Sequence, residues 1–365
     1  MTVAQILPVA LAAVGLSLVS TLILIVAVKM HRGRSGARSA SLLAPYRSAL
    51  ITIASGEDED GQAKAALFAV PATTWDRLRP TVLGFLPKVR GASADDLSDL
   101  MRFHGEIDRA TEMLTSRSAV RRAHGAYLLG LVRDRLSSPF LLRLLGDPDA
   151  DVRLVAARAL GVIGEPLAAS GVLGALRTHH GQIGLPAWVA AEALLAMGAE
   201  ITPALQAGLT SEDPAVRNVC AMVAGHGTFA STVPQLRIVL ASDSEPDVRA
   251  SAAVALGQIG GADDVASLVR LTEASESTVL RRIAATALGD LGQHEGLETL
   301  SVLLGDVDPR LARLAAESLV RIGPEGISRL GEAASGVSTG ARVAGAALEV
   351  AGLRGQLPAI TAGVR

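Results

Sequence analysis

The stretch Asp147–Gly164, DPDADVRLVAARALGVIG, decides the fold, because the chain contains seven further loose copies of it. A period near 31 residues with a helical pattern is typical of stacked helix pairs, since a single pair cannot bury its apolar face alone. Positions within a copy are numbered below by their offset from the residue that Val152 occupies. On this alignment the copies begin 29 to 34 residues apart, at Val120, Val152, Pro186, Val216, Val248, Leu280, Leu311 and Gly340.

Apolar residues at offsets three, seven, eight and eleven give each copy one helix face that can be buried, because gaps of three and four residues share a side of a helix. Alanine recurs at offsets four and seven, where a small residue lets neighbouring helices approach closely. An Asp-Pro or Glu-Pro pair predicts the start of this helix at Asp147, Asp213, Glu245 and Asp308. The register predicts buried leucines at offset eight: Leu160, Leu194, Leu256, Leu288 and Leu319.

The stretches DPDADVRLVAARALGVIG and SEPDVRASAAVALGQIG resemble HEAT-like repeats of the short kind also found in phycobilisome lyases. The resemblance covers roughly residues 116–365, with about eight repeats. It implies an all-α fold, a right-handed α-α superhelix in which the second helix of each pair lines the concave side. Proteins with such repeats include scaffolds, transport factors, a few enzymes and nucleic-acid binders, so the resemblance is specific for the fold rather than for a function.

Residues 6–28 carry no charged side chain. At ~1.5 Å per residue, a helix of this length spans about 35 Å, enough for a hydrocarbon core of ~30 Å. A cleaved signal peptide would have basic residues ahead of the apolar run, and the preceding MTVAQ has none. The sequence therefore predicts one N-terminal transmembrane helix over residues 6–28.

Basic residues follow this apolar run, whereas no charged side chain precedes it. The positive-inside rule then places the N-terminus outside and the remaining chain in the cytoplasm, as a single-pass protein of the inner membrane. Residues 29–41 form a basic linker. It is either a membrane-flanking charge cluster or a weak contact with anionic lipid headgroups. The basic residues that follow the apolar run are Lys29, Arg32, Arg34 and Arg38 in the linker and Arg47 beyond it.

Residues 42–115 lack the repeat signature but retain helical patterns, which predicts an irregular helical cap for the N-terminal end of the array. We expect a third helix from Trp75 to Val89 that is interrupted near Pro80. Ser93 with Asp96 predicts a capping box for one long helix that continues through Leu114.

Beyond Arg47 the chain has 29 basic and 36 acidic residues, a net charge of about −7. This balance argues against nucleic acid as the main partner. An arginine recurs at offset one and is either a basic row for an acidic ligand or a structural partner of the aspartates in the turns. The resemblance implies the structural role. These arginines are Arg121, Arg153, Arg217, Arg249 and Arg281.

No metal or cofactor site is predicted. The pair His294-Glu295 resembles one element of the diiron site of a HEAT-repeat hydroxylase class, but the other histidines do not repeat it, and a metal needs several convergent ligands. The single cysteine, Cys220, stands at an alanine position and is expected in the core.

The candidate partner-binding surface is the stripe of offsets two, six and ten, which lies between the core positions and varies from copy to copy. It changes from apolar near Leu154 and Trp188 to charged near Arg282 and Glu317. Plain solvent exposure is the alternative for this stripe. The predicted partner-binding residues are Leu154, Arg158, Trp188, Glu192, Asn218, Met222, Gln258, Arg282, Asp290, Arg313, Glu317 and Arg321.

Trp188 is either a rigid apolar anchor for a partner or a packing residue that folds back over the loop from His179 to Gly184. These patterns predict a membrane-anchored cytoplasmic scaffold that is not itself an enzyme and that binds a membrane-associated protein partner. From resemblance only, bacterial proteins of this layout accompany membrane enzymes such as glycosyltransferases. The alternative is an enzyme or enzyme subunit with a ligand in the groove, similar to the lyases. Buried, clustered ionisable groups would favour that alternative.

Overall fold

The computed structural model describes residues 43–177 and 184–353, in which twenty α-helices and no β-strand occur. The predicted transmembrane helix (6–28) and basic linker (29–41) lie outside these residues. The helices are α1 (43–55), α2 (Gln62–Phe68), α3 (Ala72–Phe85), α4 (Ala92–Phe103), α5 (Glu106–Met113), α6 (Ala119–Val132), α7 (Ser138–Leu144), α8 (Ala150–Ile163), α9 (Ala169–Gly174), α10 (Ala187–Met197), α11 (Thr202–Leu209), α12 (Pro214–His226), α13 (Val233–Ser242), α14 (Pro246–Ile259), α15 (Ala262–Arg270), α16 (Thr278–Leu291), α17 (Leu297–Leu303), α18 (Pro309–Ile322), α19 (Pro324–Ala334) and α20 (Thr339–Leu353).

Within the described ranges no single helix is both long and apolar enough to cross a membrane. One pair of helices, Ala187–Met197 with Ala199–Leu209, meets that criterion together but bends by 114° between its two parts. The first helix of this pair buries Val189, Ala193 and Leu194 in the repeat array.

The chain divides into two compact units between Asp108 and Arg109. The core of the first unit contains Trp75, which is 1% exposed. Its indole Nε1 donates to Glu106 Oε1 at 2.8 Å, and the His104 ring stacks on it at 3.9 Å. The other oxygen of Glu106 lies 3.4 Å from Arg79 Nη1. The buried indole and carboxylate therefore satisfy each other in this core.

Three predictions for the first unit are wrong. The helix α3 continues through Pro80 without an interruption. The single helix predicted from Ser93 through Leu114 is two helices, because Gly105 has a φ of 72° and ends the first of them. The helix α4 begins after Gly91 without a side-chain cap, so Ser93 and Asp96 form no capping box, and Asp96 instead pairs with Lys64 at 2.5 Å.

The second unit consists of two rows of helices. The even-numbered helices α6 to α20 each pack against the next even-numbered helix, and each odd-numbered helix packs against the even-numbered helix that follows it. Each even-numbered helix contains one copy of the sequence signature, so the predicted helical repeat solenoid is confirmed for this unit. The five leucines at offset eight, from Leu160 to Leu319, are at most 1% exposed, which confirms the register of those copies.

Two details of the repeat differ from the prediction. The helix α8 begins at Ala150, two residues after the Asp147-Pro148 pair, and Asp149 caps it by accepting from two backbone N–H groups. The first copy begins at Arg121 rather than Val120, since Val120 is 79% exposed. Arg122 then occupies offset one, and its guanidinium binds the Ser116 carbonyl at 3.0 Å, six residues back, as Arg217 binds the Ser211 carbonyl at 2.8 Å.

A glycine at offset nine, which the sequence analysis did not single out, sets how closely the even-numbered helices approach. A Cβ on Gly161 would lie 2.8 Å from Ala193 Cα of the next helix, and a Cβ on Gly257 would lie 2.8 Å from Ala287 Cα. No real Cβ tolerates such distances, so only glycine permits this packing. Leucine and valine replace the glycine at Leu195 of α10 and Val320 of α18, and these two helices make less contact with the next even-numbered helix.

Candidate functional site

The arginines at offset one have structural partners, as the resemblance implied. Arg217 forms two hydrogen bonds, of 2.6 and 2.8 Å, with Asp243 in the turn before the next even-numbered helix. Arg281 reaches Asp306 at 2.5 Å, and Arg249 reaches Glu276. The hydrogen bond from Arg217 holds the pKa of Asp243 below its usual range. These arginines connect neighbouring repeats and are not available to an acidic ligand.

One predicted member of this arginine row needs correction. In the first copy the row contains Arg122, which binds Asp147 through two contacts of 2.7 Å, whereas Arg121 is exposed. Arg153 is 8% exposed and donates to the backbone carbonyl of Asp147, in the turn of its own repeat, at 2.7 Å.

The predicted stripe lies on the accessible side of the even-numbered helices. Every residue at offsets two, six and ten of copies two to seven is half-buried or exposed. These positions are therefore accessible, while their binding role stays a prediction. The residues are Leu154, Arg158, Val162, Trp188, Glu192, Ala196, Asn218, Met222, His226, Ala250, Val254, Gln258, Arg282, Thr286, Asp290, Arg313, Glu317 and Arg321.

Trp188 is the largest side chain of the stripe and is 59% exposed. The Arg158 guanidinium lies over its ring, 5.3 Å from the centroid. Arg158 Nε also lies 3.3 Å from Glu192 Oε2, so three predicted residues on α8 and α10 are in contact. We call Arg158, Trp188 and Glu192 the tryptophan cluster. The cation over one face restrains the indole while most of its surface stays open to solvent.

The charged end of the stripe is largely neutralised by its own ion pairs. Asp290 and Arg321 meet at 2.5 Å, and Arg313 and Glu317 at 3.6 Å. Arg282 binds Asp308, the cap of α18, through contacts of 2.6 and 2.9 Å. Those hydrogen bonds lower the pKa of Asp308 to about 2. A partner that binds here would have to compete with these pairs, whereas the apolar end offers open surface.

Between the two ends, Met222, Gln258 and Val254 line a shallow apolar hollow between α12 and α14. Its volume is about 240 Å³. Asn218 is not among the lining residues, and its Oδ1 accepts a hydrogen bond from Ser251 at 2.5 Å. The hollow is small for a ligand of drug size, which needs about 300 Å³ or more.

A larger groove, of about 720 Å³, lies between α18 and α20. It contains the predicted residues Arg313, Glu317 and Arg321 on one side. The other side contains Arg342, Ala346 and Val350, which occupy offsets two, six and ten of the eighth copy. These three residues were not predicted, because the stripe was assigned only in copies two to seven. The same offsets in the eighth copy would have identified them.

Tyr127 was missed for a related reason. With the first copy beginning at Arg121, it occupies offset six, and it is 51% exposed. On the earlier register that offset fell on the buried Ala126. The accessible apolar end of the stripe therefore begins one helix earlier, on α6.

The groups considered for catalysis or metal binding do not form a cluster in the part of the chain that the structure describes. No three His, Cys, Asp or Glu residues of 43–177 and 184–353 are arranged to hold a metal ion. His294 instead pairs with Glu325 at the surface, at 2.5 Å. Cys220 is fully buried, as predicted, and burial raises the pKa of its thiol to about 12. A thiol with such a pKa is not a thiolate near neutral pH.

Comparison with known proteins shows what the repeats are similar to. A family model of HEAT repeats matches residues 107–194 and 201–284, so this part of the chain is similar to HEAT repeats. The matched ranges contain the whole copies on α6, α8, α12 and α14 and parts of those on α10 and α16. No curated protein sequence matches the chain.

Solved structures are similar to the chain at low sequence identity. Kap121p bound to Nup53p matches with a TM-score of 0.51 and 13% identity, over 77% of this chain and 36% of that chain. Human deoxyhypusine hydroxylase matches with a TM-score of 0.28 and 20% identity, over 85% of this chain and 98% of that chain. The CpcE and CpcF complex of phycocyanin lyase from Nostoc sp. PCC7120 matches with a TM-score of 0.30 and 20% identity, over 67% of this chain and 94% of that chain.

Proposed function

We propose that this protein is a membrane-tethered scaffold that holds a protein partner on the stripe of its even-numbered helices. The observation that carries the proposal is Trp188, a rigid apolar side chain that is 59% exposed and held in place by Arg158. Tryptophan and arginine are the residue types that most often anchor protein interfaces. A second array of this fold, Kap121p, has been solved bound to the protein Nup53p, which supports a protein as the class of partner.

The tether is proposed from the sequence of residues 6–28 and the basic residues after it. In this proposal the N-terminus lies outside the inner membrane, the repeat array lies in the cytoplasm, and the stripe lines the concave side of a right-handed superhelix. A membrane enzyme such as a glycosyltransferase is the kind of partner that such a tether would bring within reach. The role requires no catalysis by the chain itself.

The partner test is capture by the full chain in mild detergent. We expect one specific protein to be retained, and we expect the Trp188→Ala variant to bind it about thirtyfold or more weakly, since an anchor contributes more than about 2 kcal/mol. Ile238→Ala is the matched control, because Ile238 is 65% exposed on α13 in the other row. Equal capture by all three proteins would contradict the proposed surface.

The compartment is tested by reporters fused after Arg365. We expect activity from a reporter that works only in the cytoplasm and none from one that works only in the periplasm. Periplasmic activity would contradict the orientation and the cytoplasmic location together, while leaving the fold unaffected.

A further inference from the structure

The groove between α18 and α20 lies where one small residue of the repeat is missing. At offset nine, where α14 has Gly257, α18 has Val320. The position that would face it on α20 is Ala347, and both residues line the groove. A β-branched side chain therefore occupies the place of the glycine beside an open groove of about 720 Å³, whereas the glycine of α14 is in close contact with the next helix.

The floor of this groove is apolar and its rim is mostly basic. Val320, Val343 and Val350 are among the apolar lining residues. Three arginines and one glutamate lie among the lining residues, which gives the groove a net positive charge. The charged lining residues are Arg313, Arg321, Arg342 and Glu317.

The three arginines differ in how far they are already paired. Arg321 is held by Asp290 at 2.5 Å. Arg313 lies 3.6 Å from Glu317, and both are more than half exposed, so their attraction is weak. Arg342 is exposed and has no ion pair within the described ranges. Arg342 and, after a small rearrangement, Arg313 are therefore the charges available to a ligand.

The dimensions of the groove fit a helix. At ~1.5 Å per residue, its walls α18 and α20, of 14 and 15 residues, are about 21 and 22 Å long. A partner helix of about four turns could lie along them with its apolar face on the valines. The volume also lies within the ~300–1,000 Å³ typical of ligand sites.

We propose that this groove binds an amphipathic helix of a partner protein, with its apolar face on Val320, Val343 and Val350 and with acidic residues facing Arg342 and Arg313. The inference rests on the proposed function in that it takes the partner to be a protein, and it adds the chemistry of the bound segment. The chain's own residues 354–365 do not have this chemistry, since they include two arginines and no Asp or Glu.

The test is a selection on the full chain held in lipid nanodiscs. The displayed peptides have about 15 residues, with leucine and alanine at helical spacing and an equal mixture of Glu and Lys elsewhere. We expect enriched peptides to have Glu beside the apolar face. Their Kd should rise about tenfold or more in Arg342→Glu, because opposite charges at the rim become like charges.

Two further variants locate the binding site and check folding. Ala347→Phe fills the groove and should abolish binding. Arg270→Glu is the matched control, because it makes the same charge change at an exposed site on α15, and its Kd should stay within about twofold of the wild type. Circular dichroism and the melting temperature of each variant confirm that the array remains folded.

Several results would overturn the proposal. They are enrichment of Lys, no enrichment of any peptide, binding that survives Ala347→Phe in a folded protein, or a dimer of the chain that Ala347→Phe dissociates. The Trp188→Ala variant separates this proposal from the proposed function. If the peptide binds that variant normally while partner capture fails, the two surfaces act independently. If partner capture proves independent of Trp188 and the peptides still bind as expected, only the proposed function fails.

Discussion

The packed and the exposed face of the even-numbered helices differ in how strictly they repeat. On the packed face alanine recurs at offset four, leucine at offset eight and glycine at offset nine, as in Ala252, Leu256 and Gly257 of α14. On the exposed face the residue at offset two is leucine, tryptophan, asparagine, alanine or arginine. Helix packing imposes a similar solution on most copies, whereas the exposed face is free to differ from copy to copy. Repetition therefore indicates structure, and its absence indicates where to look for binding.

The largest expected effect on stability is on the packed face. Leu256→Ala should lower the free energy of unfolding by about 2–5 kcal/mol, because a fully buried leucine leaves a cavity when it is cut back. Val254→Ala, two residues earlier on the half-buried stripe, is the control and should cost clearly less. Urea unfolding measures both. Equal losses would remove the distinction between the two faces.

The glycine contact is the next test. In Gly257→Val the new side chain meets the Ala287 backbone, and we expect a loss of about 1–3 kcal/mol from the resulting shift of α16. Gly345→Val on α20 is the matched control, since nothing lies within 4 Å of a Cβ at that position. If the melting temperatures of the two variants fell equally, the loss would reflect valine in a helix rather than the close approach.

Loss of the ion pair in the turn between repeats should have an intermediate effect on stability. Arg217→Ala removes the two hydrogen bonds from Arg217 to Asp243, whose side chain is only 4% exposed, and we expect a cost of about 1–3 kcal/mol. Arg313→Ala removes an arginine whose side chain is 68% exposed, and it should cost less than about 1 kcal/mol. A negligible cost for Arg217→Ala would show that the row of arginines does not connect the repeats.

The same pair gives a smaller, pH-dependent effect. Since Arg217 lowers the pKa of Asp243 below its ordinary 3.8, the unfolded chain binds the proton more readily than the folded one. The stabilisation is complete well above pH 3.8 and is lost as the pH falls through the lower pKa of the folded state. The melting temperature should therefore fall less steeply with acid in Arg217→Ala than in the wild type, and parallel curves would contradict this.

The sequence predicted the repeat architecture because its packing rules recur eight times, so that one irregular copy does not hide the pattern. The predicted register was wrong for the first copy, whose sequence is irregular at the start of its helix. The first copy has Arg121 where the others have an apolar or small residue, and the neighbouring Val120 matched the pattern better. Gly130 at offset nine and Arg122 at offset one were the signals that would have corrected the register.

The candidate site was predicted less completely, since it depends on distances between repeats. The spacing within a helix placed Arg158, Glu192 and Trp188 on one side, but their mutual contact depends on how closely α8 and α10 pack. The pairing of Asp290 with Arg321 likewise joins two helices and turns two apparent binding residues into partners of each other. The groove beside Val320 could not be predicted, because the sequence shows that glycine recurs at offset nine but not how closely the neighbouring backbones approach there.

Trp188 is expected to contribute least to stability and most to binding. Because it is 59% exposed and contacts Arg158 over one face, Trp188→Ala should change the free energy of unfolding by less than about 1 kcal/mol. If Trp188 is an anchor, the same substitution should weaken partner capture by more than about 2 kcal/mol. If Trp188 instead packs against the loop before α10, Trp188→Ala should lower the free energy of unfolding by about 3–5 kcal/mol. Urea unfolding and capture of the partner by the same variant separate the two roles. A variant that unfolds early, and whose folded fraction still binds, would show that Trp188 belongs to the packed face after all.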